Sequence, residues 1–180
     1  MGGRLDEADF RAFTRPLVGM GLTHWWRGYG SAIFLNFGEL HHSVWKNGRL
    51  SRNPIGKMSL GIEWSWRVEG PKRIWCGSWS EDSSWAKVFD KMIGATVKEV
   101  TTFGRLPEID LELSCGVHVL SFMTERSDPE WSIFDERSEP RKWVQVKAGR
   151  LQVEESSIQL HRVMARDVCI LPTAGKAQKE

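Results

Sequence analysis

Residues 61–70 read GIEWSWRVEG. Taken two at a time, Ile62, Trp64, Trp66 and Val68 fall on one face, and Glu63, Ser65, Arg67 and Glu69 on the other. Successive side chains of a strand point to opposite faces, so the pattern predicts a half-buried strand of about eight residues. On this reading the tryptophans belong to a core, with the wall of a ligand cavity as the alternative. Gly70-Pro71 then ends the strand.

The same alternation runs outward along the chain. Residues 31–37 (SAIFLNF) set Ile33, Leu35 and Phe37 together, with Ala32 and Phe34 on the reverse, which suits a strand covered on both sides. Residues 109–115 (IDLELSC) place Ile109, Leu111, Leu113 and Cys115 inward and Asp110, Glu112 and Ser114 toward water. Gly116 permits a tight turn into a strand over 117–123. Further strands are expected at 73–77, 96–102, 131–134, 143–147 and 150–154, with Ala148-Gly149 as a hairpin turn between the last two.

Helices are few. Residues 6–14 (DEADFRAFT) carry acids in the first turn, Phe10 and Phe13 on one side, and Pro16 as a stop. Residues 83–93 carry a stripe of Trp85, Val88, Phe89 and Met92, with Ser83 or Ser84 as N-cap and Gly94 as a stop. Residues 156–166 are ambiguous, and the polar tail from 172 is expected to fray.

Two halves of the chain resemble one another. An offset near 76 residues sets Gly28 on Gly104, Leu35 on Leu111 and Phe37 on Leu113. Gly19-Met20-Gly21 likewise falls on Gly94-Ala95-Thr96, and, with a shorter intervening loop in the second half, Trp66-Arg67-Val68 corresponds to Trp131-Ser132-Ile133 and Arg73-Ile74-Trp75 to Lys142-Trp143-Val144. The expected architecture is mainly β with few short helices: one domain over 1–180, built of duplicated antiparallel meanders at 17–80 and 92–154. A helix at 83–93 joins them, and 155–180 is a C-terminal extension. Two such units can pack as a sandwich or close into a barrel; either limits the free sheet edges.

Composition narrows the function classes. Ten tryptophans against one tyrosine can build a large core, since each buried Trp removes about 200 Å² from water. The net charge of +2 is spread along the chain without a polybasic run, which disfavours nucleic acid as a partner. No run of 18 apolar residues suggests a membrane span, and the acidic N-terminus lacks the apolar core of a secretory signal. Cys76, Cys115 and Cys169 lack metal-type spacing and read as free thiols of a cytoplasmic protein.

Catalytic signatures are missing from the sequence. There is no HxH, HExxH or CxxC pattern and no GxSxG elbow. His41-His42 beside Glu39 is a weak metal candidate, because adjacent strand residues point apart. Gly28-Tyr29-Gly30-Ser31 runs into a strand rather than a helix, so it reads as a turn and not a phosphate loop. Cys115 and His118 could meet across a hairpin, yet an inward thiol is inert. No cofactor or metal is expected. Were the protein an enzyme, His24, Glu63, Arg67 and His118 would be its first candidates.

Two functional classes remain. One is a non-enzymatic, cytosolic protein-interaction module of inhibitor, adaptor or immunity type. Its binding residues would be His24, Trp25, Trp26 and Arg27 before the glycine turn, Trp45 in the basic loop 41–57, and Arg67. The other is a β-barrel binding a small apolar ligand in a cavity lined by Trp64, Trp66, Trp75 and Trp131.

Overall fold

The computed structural model describes residues 3–44, 48–124, 130–156 and 161–164, with 3–4 and 161–164 as backbone. The elements in order are β1 (Gly3–Arg4), α1 (Glu7–Thr14), a 3-10 turn (Arg15–Leu17), β2 (Leu22–Arg27), β3 (Ile33–Phe37), β4 (His41–Val44) and β5 (Met58–Ile62). Then come β6 (Trp66–Gly70), β7 (Arg73–Gly77), α2 (Asp82–Met92), β8 (Val97–Phe103), β9 (Glu108–Leu113) and β10 (Val117–Ser121). The chain continues through β11 (Trp131–Asp135), β12 (Lys142–Lys147), β13 (Arg150–Glu155) and β14 (His161–Met164).

Two antiparallel sheets enclose one core. The larger is ordered β1-β13-β12-β11-β5-β3-β2 and the smaller β7-β6-β10-β9-β8. Both keep free edges, so the fold is a sandwich and not a closed barrel. Alternation was the right guide to its filling: Ile33, Leu35 and Phe37 face Ile109, Leu111 and Leu113 within a single apolar cluster. α1 starts where Asp6 and Asp9 cap each other, the Asp9 amide donating to the Asp6 carboxylate at 2.8 Å. α2 starts two or three residues earlier than the serines suggest. Glu81 is its N-cap, and Ser83 and Ser84 lie within the first turn.

The stretch at 61–70 is not one strand. β5 ends at Ile62 in the large sheet, residues 63–65 cross the sandwich, and β6 begins at Trp66 in the small sheet. Trp66 is buried, while Trp64 sits on the crossing with 46% of its surface exposed. The alternation continues through the crossing because a short extended link also turns side chains by half-steps. Two more expected inward residues are corrected. Trp75 is only half-buried, because a bulge between Ile74 and Cys76 resets the parity of β7. Cys115 is exposed, because β9 stops at Leu113 and Cys115 lies in the turn. The loop expected over 41–57 opens with a strand, β4, which pairs with β14 from the C-terminal extension.

The hydrogen bonds of the two halves follow one pattern. The Gly19 amide donates to Val97 O and the Gly94 amide to Leu22 O, both at 2.8 Å. Leu22 N donates to Ala95 O, and Val97 N to Met20 O. A shift of 75 residues exchanges the members of each pair. Gly19 and Gly94 share left-handed backbones, with φ +86° and +89°, which glycine adopts freely. The β2–β3 ladder slips after Leu22, and the β8–β9 ladder slips after Val97. Each half thus lays three strands in one sheet, then crosses to begin a hairpin in the other. Glu63 N donates to Glu130 O at the first crossing, and Phe122 N to Ser65 O at the second.

The crossing strands begin with equivalent tryptophans. Trp66 Nε1 donates to Ser31 O at 2.6 Å, and Trp131 Nε1 to Pro107 O at 2.9 Å. Each ring meets a helix of the other half. Trp131 packs edge-on against Phe10 of α1, and Trp66 against Phe89 of α2 and, T-shaped at 4.7 Å, Trp85. α2 therefore stands to the second half as α1 does to the first.

Candidate interaction surface

β2 carries four of the six residues expected to bind, and it splits them between its faces. The bulge after Leu22 turns Trp25 and Arg27 toward α2. Trp25 stacks on Phe89 with ring centroids 4.9 Å apart, and its Nε1 donates to Asp90 Oδ1 at 2.8 Å. Arg27 lies 4.6 Å from the Trp85 ring, pairs with Asp82, and donates from Nε to Gly30 O. Both residues fasten the edge of the large sheet to the helix.

His24 and Trp26 point to the opposite side. Trp26 stacks on Phe34 at 3.9 Å, and Gly61 leaves the room: a Cβ there would lie 2.8 Å from the Phe34 ring. Burial, followed by the charge of nearby His42, lowers the His24 pKa. Its Nε2 is buried with no hydrogen-bond partner among the described residues. Arg67 is on the other sheet, paired with Glu69 and 4.2 Å from the Phe122 ring. Trp45 lies outside the described residues. The five described residues among those expected to bind are thus divided between two faces of β2 and the other sheet.

The side chains freest to bind are aromatic residues that the sequence reading passed over. Tyr29, the single tyrosine, is 96% exposed, and Trp79 is 95% exposed. Both occupy loops at the end of the sandwich where Trp64 also emerges. Ser31 Oγ donates to Trp64 O at 2.6 Å and Ser78 N to Trp66 O at 2.9 Å, while Arg27 bridges Gly30 and Asp82. The loops 28–32, 63–65 and 78–81 are thereby held to one another, each displaying one large ring. Acids accompany the rings: Glu81 is exposed, and burial raises the pKa of Glu63. Signals for two of these residues were available. An aromatic between two glycines of a tight turn, as in Gly28-Tyr29-Gly30, has little to bury against. Trp79 between Ser78 and Ser80 lacks any apolar neighbour in sequence.

The residues considered for catalysis lie apart. His118 and Arg67 share the outer face of the small sheet, where His118 Nδ1 lies 2.8 Å from Asp110 Oδ1. His24 and Glu63 belong to the large sheet and the crossing. Cys76 is buried, and its thiol pKa is pushed up to about 11. No three His, Cys, Asp or Glu side chains are grouped to hold a metal among the described residues. Nor is any helix among them long and apolar enough to cross a membrane. No family model, curated protein or solved structure matches the chain.

Proposed function

We propose that the protein is a non-enzymatic interaction module, of inhibitor, adaptor or immunity type, that holds a protein partner on its aromatic loop end. The observation that carries this reading is the near-complete exposure of Tyr29 and Trp79 on loops tied to that of Trp64. A folded chain gains roughly 25 cal/mol for each Å² of apolar surface it buries, so these rings leave several kcal/mol ungained. A partner that covers them recovers it. Tyrosine and tryptophan on ordered loops are also the residues that dominate protein interfaces. The reading includes a cytoplasmic location, which suits the free thiols of Cys76 and Cys115. Nucleic acid suits the near-balanced charge poorly.

The alternative, an apolar ligand in a tryptophan-lined chamber, has less support. Of its four lining residues, Trp66 and Trp131 pack on other rings, Trp64 is 46% exposed, and Trp75 is half-buried. Native mass spectrometry of protein gently purified from its own cells separates the two. A complex with a second polypeptide, lost in the Tyr29→Ala/Trp79→Ala variant, supports the interaction module. A small added mass retained by that variant supports the ligand. A bare chain argues against both.

A further inference from the structure

A second surface, separate from the aromatic end, has the chemistry of a small-ligand site. A groove of about 410 Å³ lies between β7 and α2, lined by Arg73, Ile74, Trp75, Lys87, Val88 and Lys91. Its three charged residues are all cations. Some cations elsewhere on the described surface, such as Arg11, Lys98, Arg137 and Lys142, sit against carboxylates, while others, such as Arg15 and Arg150, stand without an ion pair there. Arg73, Lys87 and Lys91 have no ion-pair partner among the described residues. A chain whose formal charge is only +2 thus concentrates three uncompensated cations around one apolar floor.

The floor is shaped by the backbone. The bulge in β7 leaves Ile74 56% exposed while Cys76 stays buried, which an unbroken strand could not do two residues apart. It also brings Trp75 to the groove. The indole lies against Gly70, where an added Cβ would stand 2.2 Å from Nε1, so the end of β6 must be glycine for the ring to rest there. From the other side, Lys87 and Lys91 stand one helical turn apart on α2 with Val88 beside them, which places two ammonium groups along one wall. An apolar floor with convergent cations, in a volume typical of ligand sites, selects a compact molecule with an apolar body and a negative head.

We propose that this groove binds small amphipathic anions: an aromatic or branched apolar group bearing a carboxylate, sulfonate or phosphate. The apolar body rests on Trp75, Ile74 and Val88, and the anion meets Lys87, Lys91 and Arg73. Because the groove is independent of Tyr29 and Trp79, this site stands or falls separately from the protein-partner reading.

Two probes with the same ring and opposite charge give the test: 1-naphthalenesulfonate and 1-naphthylmethylammonium, titrated into the full chain and followed by amide chemical shifts. The sulfonate should give saturable shifts centred on residues 73–75 and 87–91, and the ammonium none there at equal concentration. Lys87→Gln/Lys91→Gln should weaken the sulfonate roughly tenfold, the loss expected of two partly desolvated charge contacts. Lys98→Gln, remote from the groove, should leave it unchanged. Equal binding of both probes, shifts centred elsewhere, no saturable shift, or undiminished binding by the double variant would each overturn the proposal.

Discussion

Trp64 and Trp66 stand two residues apart with the same side chain, and the crossing gives them opposite fates. Trp66 is 2% exposed, packs T-shaped on Trp85 and tilted on Phe89, and donates from its indole to Ser31 O. Truncation to alanine removes a whole bicyclic ring from that cluster, a change that costs about 3–5 kcal/mol in well-packed cores. It also strands the Ser31 carbonyl, which adds about 1 kcal/mol unless water reaches it. Trp64 is 46% exposed, and its ring makes no aromatic contact among the described residues, so Trp64→Ala should cost about 1 kcal/mol or less. Since whole domains are stable by only about 5–15 kcal/mol, Trp66→Ala risks leaving little folded protein. Trp66→Phe keeps one ring and should cost about 1–2 kcal/mol through the lost hydrogen bond and a small void. Urea unfolding followed by far-ultraviolet circular dichroism, with unchanged slope, measures all three. Equal costs at positions 64 and 66, or a Trp66→Ala cost below about 1 kcal/mol, would refute the crossing and the register built on it.

Thiol chemistry should distinguish Cys76 from Cys115. In a Cys169→Ser background, an aromatic disulfide reagent should modify Cys115 quickly and Cys76 only on unfolding, since Cys76 is buried with a pKa near 11. Rapid modification of both would place Cys76 at the surface. His24 should make stability depend on pH. Its pKa is lowered in the fold from 6.5, so the unfolded chain takes up the proton first as pH falls. Its contribution is full above pH 6.5 and is lost as pH drops toward the folded value. His24→Asn should flatten that slope; an unchanged slope, or an imidazole titrating at or above 6.5 by NMR, would contradict the burial.

How far the residues revealed this molecule depends on where parity holds. Within β3 and β9 the two-residue period is unbroken, and Ile33, Leu35, Ile109 and Leu111 are buried as the pattern requires. Parity fails at the bulges after Leu22, Val97 and Val68, because one extra residue is invisible to a pattern that only counts steps. That is why Trp25 faces a helix and Trp75 faces a groove. The crossing at 63–65 is hidden for a related reason: it is extended, and Trp64 is as apolar as its neighbours. Closure into a barrel depends on whether outer strands pair, which no local period records. Trp beside Arg in sequence suggests an exposed anchor, and a local reading cannot see that α2 packs over two of those side chains. Trp25 and Arg27 instead satisfy each other's needs through α2, whereas Tyr29 and Trp79 find nothing to pack on.

The repeated hydrogen-bond pattern has a consequence for how the chain is divided. We propose duplication of one helix-and-meander unit as its origin; the paired contacts 19–97 and 94–22, and the two tryptophan–carbonyl bonds, support it. Yet neither unit closes a sheet by itself. The ladder from Trp131↔Ile62 to Asp135↔Met58 binds the second half to the first in the large sheet, and His118↔Glu69 to Ser121↔Trp66 does so in the small one. Each helix also rests on the tryptophan of the other half. The 78–81 loop between β7 and α2 is the natural place to separate them, for Trp79 and Glu81 there are exposed. A protease site inserted beside Trp79 and cut should therefore leave both pieces associated, with the native mass and circular dichroism of the intact chain. Dissociation into two pieces that each keep a cooperative unfolding transition would mean that the halves are separate domains. In that case the shared ladders would not be what holds the sandwich together.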